Sequence, residues 1–250
     1  MNNKNEILMG LDISTTCIGV CILENDGSEY GKVLELTHVS PKIPKNIKGI
    51  EALFLKKNIF KNEFLSKWKD FGISKVVIES PLLSSNNVNT VATLLQFNGM
   101  VSECVYDVLH VVPDYISSFD ARTYAFPELH AVRKFNKKNE VLDEKTIIGN
   151  IKKNHAVLFG SYVFDCAKKE IIWNKISEIF PDINWLYDKK NQLKKENFDA
   201  SDALTALIGF MNKTKFGNLK IKTELISNEN NKIQYNMIYW DKMVKKEIIL

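Results

Sequence analysis

Apolar positions are spaced as strands in the first forty residues and mostly as helices after that. Residues 7–13 and 18–23 are rich in β-branched side chains and are joined through Ser14-Thr15-Thr16, which predicts two strands. Asn25-Asp26-Gly27-Ser28 is a turn signal, and Lys32–Val39 then alternates as a third strand, so the chain opens on an antiparallel meander. Between 47 and 68, Ile50, Leu53, Phe54, Ile59, Phe60, Phe64, Leu65 and Trp68 recur at helical spacing and predict one amphipathic helix. Lys75–Glu79 is a short apolar run after a helix, the pattern of a buried parallel strand. A long helix follows over 87–108, carrying Val91, Leu94, Leu95, Phe97, Val101, Cys104, Val105 and Val108, and a fifth strand is expected at 110–113.

Beyond that the pattern is less regular. The stretch 121–129 is interrupted by Pro127, and 132–163 fits neither period and reads as an insertion. Residues 167–180 are helical up to Pro181, 199–211 form a closing helix, and 220–226 with 232–239 resemble a hairpin around 228–231. The expected fold class is α/β, a mixed five-stranded sheet with helices on both faces. The expected organisation is one domain over 1–212, containing the 132–163 insertion, and a C-terminal β-hairpin extension over 213–250.

Four carboxylates stand out against this pattern. Asp12 and Glu79 interrupt apolar strands near their ends, and Asp199 and Asp202 follow as a D-x-x-D on an alanine-rich helix. Each has an ordinary explanation taken alone: Asp12 as a turn residue, Glu79 as the last residue before Ser80-Pro81, and Asp199 as a helix N-cap with Asp202 completing a loose capping box. Taken together, the first and fourth strands can lie side by side at the sheet centre. The i, i+3 spacing turns both aspartates to one face of a helix whose Ala200, Ala203 and Ala206 allow close approach. Clustered carboxylates repel one another unless a cation holds them, and oxygen-only ligands favour Mg²⁺ or Mn²⁺. A pair of such ions can clamp a phosphodiester for in-line attack, so the pattern predicts a metal-dependent nuclease.

The 45% apolar and 26% charged fractions are those of an ordinary soluble protein, and the net charge of +4 does not by itself imply a nucleic-acid partner. Lysines pair up in the later chain: Lys137/Lys138, Lys152/Lys153, Lys168/Lys169, Lys189/Lys190 and Lys194/Lys195. Most such pairs read as solvated helix faces, while those flanking Asp199 are candidates for phosphate contact. Arginine is confined to Arg122 and Arg133, a bias that fits an AT-rich genome such as a low-GC bacterium or its phage. Cys17, Cys21, Cys104 and Cys166 and the four histidines form no zinc-ligand spacing. No apolar run approaches membrane-spanning length, and the expected setting is a reducing cytoplasm, the host's if the chain is phage-encoded.

These residues resemble the motifs of the RuvC-like Holliday-junction resolvases of the RNase H superfamily. Gly10-Leu11-Asp12 is similar to that family's first motif, and Val77-Ile78-Glu79 to its second. Asp199-Ala200-Ser201-Asp202-Ala203-Leu204 resembles the closing D-A-x-D-A-L motif, and Ala167-Lys168-Lys169 the A-x-K segment. The resemblance implies an RNase H-like fold and two-metal hydrolysis of branched DNA, most of all four-way junctions, by a homodimer. It makes Asp12, Glu79, Asp199 and Asp202 the catalytic metal ligands for two Mg²⁺ or Mn²⁺ ions. Lys169 becomes a candidate for contacting phosphate near the scissile bond, with Lys168, Lys194 and Lys195 as further DNA contacts. The dimer surface is expected on the helix 87–108. The chain departs from the family pattern in Ser80-Pro81, in the insertion and in the C-terminal extension, which points to a phage-type or otherwise divergent member. Two alternatives stay open: a non-catalytic DNA-binding protein on the same fold, and an actin-like sugar or acetate kinase suggested by Gly10-Leu11-Asp12-Ile13-Ser14-Thr15-Thr16. The absence of any Gly-Gly pair weighs against the kinase.

Overall fold

The computed structural model describes residues 5–81, 87–138, 140–158 and 168–250. Strands β1 (Glu6–Ile13), β2 (Ile18–Asn25), β3 (Lys32–Val39), β4 (Lys75–Glu79) and β5 (Asp114–Ile116) form one sheet in the order β3-β2-β1-β4-β5. The first three run antiparallel, and β4 and β5 add in parallel. Because side chains alternate across a strand, β1 serves two cores. Met9, Leu11 and Ile13, with Val76 and Ile78 of β4, face α1 (Gly49–Ile59), α2 (Ser66–Trp68) and α3 (Val88–Leu109). Leu8 of β1 and Val77 of β4 face the opposite layer, which contains α4 (Ser118–Ala125), α6 (Lys168–Ile179) and the closing helix α7 (Glu196–Phe216).

Several expected boundaries move, each for a local reason. The fifth strand lies at Asp114–Ile116 and not at 110–113: His110 takes a left-handed conformation that caps α3, and Pro113 has no N–H to give a ladder. The helix expected over 47–68 is divided, since α1 widens into a π-helical turn at Phe60–Leu65 before α2. Phe60, Leu65 and Trp68 nevertheless stay buried in the same core. The closing helix begins three residues before Asp199 and runs on to Phe216.

The C-terminal segment is a three-stranded meander and not a hairpin. Strands β8 (Ile221–Glu229) and β9 (Lys232–Tyr239) turn through Asn230 and Asn231, both at positive φ, and β10 (Lys242–Ile249) adds on the far side of β9. Charges at Lys242, Lys245, Lys246 and Glu247 hid the third strand from a hydrophobicity reading. The insertion contributes β6 (His130–Val132), α5 (Glu144–Lys152) and β7 (Ala156–Leu158). Its Val132, Ile147 and Ile151 share a core with Ile233, Tyr235, Met237 and Tyr239 of the meander. Two segments far apart in sequence therefore build one second module on the end of α7. Among the described residues, no helix is long and apolar enough to cross a membrane.

His130 sits buried where this module joins the rest, with Nδ1 3.2 Å from the Pro127 carbonyl. Burial pushes its pKa down to about 4. Folding thus favours the neutral ring, and the stability this confers is complete above the unfolded value near 6.5 and is lost as pH falls toward 4. The loss is roughly 3 kcal/mol by linkage. Urea titrations between pH 7 and pH 4 should show it in the parent and a correspondingly flatter profile in His130→Asn. Identical slopes in the two proteins would contradict this role.

Candidate active site

Asp12 is the penultimate residue of β1, opposite Gly19 of β2, and Glu79 ends β4 one step past the Leu11–Ile78 pair. Both continue the row begun by Leu8 and Val77, so their carboxylates point toward α7. That helix lies directly on the strands. A Cβ at Gly10 would overlap the Ala203 carbonyl, and one at Gly19 would overlap the Asp199 carbonyl. Two glycines thus bring the first turns of α7, with Asp199 and Asp202, down onto the end of β1. Asp199 lies inside the helix and not at its N-cap, which removes the capping explanation for this pair.

The loop after Asp12 is firmly held. Ser14 Oγ accepts from Cys17 N at 3.0 Å and donates to the Cys17 carbonyl at 2.8 Å, while Lys56 Nζ donates to the Thr15 carbonyl at 2.6 Å. A cleft of about 750 Å³ opens above the acids, lined by Asp12, Ser14, Glu79, Ser80, Ser118, Arg122, Lys169, Lys195, Phe198 and Asp199, with Asp202 buried beneath.

Charge is unevenly compensated here. Arg122 Nη2 lies 3.1 Å from Asp202 Oδ1, and Lys169 Nζ lies 2.6 Å from Asp202 Oδ2 and 3.7 Å from Asp199 Oδ1. Burial opposes the charge of Lys169, but Asp202, Asp12 and Asp199 outweigh it and raise its pKa. Among the described residues, Asp12 and Glu79 have no such direct partner. Burial, followed by repulsion from Asp202, pushes Asp12 up to about 7. Burial, then Asp12 and Asp202, pushes Glu79 up to about 8. Among the described residues, no group of three or more His, Cys, Asp or Glu side chains is placed to hold a metal ion as the side chains stand. The donor set still suits a hard divalent cation: it offers only carboxylate oxygens, and its strand half is short of positive charge.

Of the lysines expected at DNA, Lys169 reaches the acids and Lys195 lines the cleft, while Lys194 is exposed and does not line it. The side chain of Lys168 lies outside the described residues, as do Ala167 and Cys166. Arg122 was not singled out as a site residue from the sequence. Its signal was there, as one of only two arginines in a lysine-rich chain, and α4 brings it to Asp202 from eighty residues away.

The sheet order, the crossing helix and the acid-lined cleft define an RNase H-like α/β fold. Its fold is similar to that of a solved RuvC. RuvC of Thermus thermophilus in complex with Holliday junction substrate superposes with a TM-score of 0.50 at 11% identity, covering 85% of this chain and 96% of that one. The yeast mitochondrial Holliday junction resolvase Ydc2 gives a TM-score of 0.45 at 10% identity, over 83% of this chain and 78% of that one. No family model matches the sequence, and no curated protein matches it. At 11% identity the superposition on RuvC establishes the fold alone.

Proposed function

We propose that this protein is a divalent-metal-dependent endonuclease that cleaves branched DNA, with the four-way junction as its main substrate. The observation that carries the reading is the convergence of Asp12, Glu79 and Asp199, from two strands and one helix, on a single open cleft beside Lys169 and Arg122, with Asp202 buried beneath it and paired to both. One or two Mg²⁺ or Mn²⁺ ions bound by these carboxylates would supply an activated water and stabilise charge on the departing oxygen. The chain's own groups prepare the rest. Arg122 fixes Asp202 by one oxygen. Lys169, 45% exposed, is free to exchange its carboxylate contacts for a phosphate oxygen. Lys195 and Phe198 offer a charge and a ring to the strand entering the cleft. The solved RuvC complex holds a Holliday junction substrate, which supports the choice of substrate.

A second reading has its own observation. Asp202 is already neutralised by Arg122 and Lys169, as it would be in a non-catalytic DNA-binding protein. Incubation at fixed salt with Mg²⁺ and a mobile four-way junction, a splayed arm, linear duplex and an RNA–DNA hybrid separates the two. The proposal expects cleavage of the junction first, and the second reading expects binding without product.

Symmetric incision of a junction calls for two active sites related by a two-fold axis, and we place that axis on α3. Val101 and Val105 of this helix belong to the protein's own core. The outward side is carried by Val88, Leu95 and Tyr106, which are 77%, 44% and 55% exposed. Leu95→Glu is expected to give a folded monomer in sedimentation that nicks junctions without paired incision. A parent that stays monomeric with junction bound would end the dimer model.

A further inference from the structure

The second module has a charge of its own. Residues 130–158 and 217–250 contain thirteen Lys and Arg against seven Asp and Glu, a net +6, whereas the remainder of the chain is −2. The modest total therefore hides a basic unit attached to an acidic catalytic body. Some of this excess is spent internally: Lys134 donates to the Ile249 carbonyl, Lys232 pairs with Glu247, Lys242 with Glu29, and Lys246 donates to the Glu128 carbonyl.

Four other lysines lie on two segments that meet along β8, with Lys220 and Lys222 on the face of the strand turned away from Thr223 and α5. Lys152 ends α5 and Lys153 follows it, while Lys220 and Lys222 stand at the start of β8. Thr223 pins these segments together, its N–H donating to Asn154 Oδ1 at 2.6 Å and its hydroxyl to the Ile151 carbonyl at 2.6 Å. All four lysines are exposed, as is His155 beside them, and among the described residues none of the four is in an ion pair. The dipole of α5 accounts for lysines at its C-terminal end. It gives no reason for Lys220 and Lys222, which belong to a different element.

We propose that these lysines grip a duplex arm of the DNA by its phosphates, outside the catalytic cleft. The placement suits that occupant. Asp199 and Asp202 lie in the first turns of α7, and the module is attached at its far end. The helix between Asp199 and Phe216 is roughly 25 Å long at 1.5 Å per residue, a distance spanned by less than one duplex turn of about 34 Å. An arm that leaves the acids along α7 would come within reach of these lysines. Ammonium groups on flexible stems read phosphates and not bases, so the contact is independent of sequence.

The proposal rests on the branched-DNA reading for its ligand, but the two fail separately. The test compares the parent with Lys152→Ala/Lys153→Ala/Lys222→Ala in binding to synthetic four-way junctions across a salt titration, with long arms and with arms trimmed short. For long arms the variant should lose at least tenfold in affinity at low salt, and its log K against log salt slope should be shallower by about 2 to 3. Its cleavage rate at saturating junction should equal the parent's, and trimmed junctions should bind both proteins alike. If the triple variant melts early, Lys220→Gln/Lys222→Gln, confined to the start of β8, should give a smaller shift of the same sign. Equal slopes and affinities on long arms would overturn the proposal, as would a defect confined to binding anionic phospholipid vesicles. A parent that shows the arm-dependent slope without cutting any DNA would overturn the nuclease reading and leave this surface standing.

Discussion

Asp12→Asn is expected to reduce junction cleavage on the order of a thousandfold while making the metal-free protein more stable. The two effects have one cause. Asp12 is pushed up to about 7 by burial and by its acidic neighbours, a cost that a bound cation would offset. Replacing it with a neutral isostere removes that cost, on the order of 2 kcal/mol, and raises the melting temperature in chelator by roughly 4–8 °C. Junction binding should be equal to or tighter than the parent's, because one repulsion toward phosphate is gone. Glu79→Gln should behave the same way, since burial and Asp12 push its carboxyl in the same direction. Asp202→Asn should differ. It loses cleavage too, but it breaks contacts to Arg122 and Lys169 at a buried site and should be destabilised. Opposite signs of stability change, with the same loss of activity, would distinguish this site from a merely structural cluster of charges. Melting curves in chelator beside gel-based cleavage assays read both quantities.

Gly19→Val is expected to be nearly as damaging without touching a charge. Any Cβ there collides with the backbone of Asp199 and Ala200, which cannot swing aside as a side chain would. Relief requires α7 to lift from the sheet, at about 1–3 kcal/mol for overpacking. The lift also carries Asp199 and Asp202 away from Asp12, and a displacement of about 1 Å in a catalytic constellation costs about a hundredfold in rate. Cleavage should therefore fall by at least that factor in a protein that still folds. Gly149→Ala, in α5 with open space around it, should leave the rate unchanged. Activity in Gly19→Val close to the parent's would show that the close approach of the helix is dispensable.

The central sheet and the four acids were legible because their signals are local and strong. Largely apolar runs marked β1, β2 and β4, and a carboxylate inside such a run is conspicuous. The alanines around Asp199 and Asp202 pointed to a helix lying close on strands, and Gly10 and Gly19 supply the matching surface. What escaped depends on distant packing or weak patterning. β10 carries four charged residues and gains its strand identity by pairing along the whole of β9. The insertion resisted assignment because its apolar anchors Val132, Ile147 and Ile151 share their core with the C-terminal meander some eighty to a hundred residues later. Arg122 lies on an eight-residue helix of little amphipathic character, and its role at Asp202 follows only from the contact of α4 with α7. The fifth strand was misplaced by a few residues because the apolar run 111–112 was read as its centre, when the chain there is still leaving α3.

The claim on which the rest depends is that the four carboxylates hold a catalytic divalent cation. Nicking of a mobile four-way junction by the parent, with Mg²⁺, Mn²⁺, Ca²⁺ or excess chelator at fixed salt, tests it most directly. Product should form with Mg²⁺ and Mn²⁺, fall to little with Ca²⁺, whose looser coordination misplaces the attacking water, and vanish in chelator. Full cleavage in excess chelator, or full cleavage by Asp12→Asn in Mg²⁺, would contradict the account.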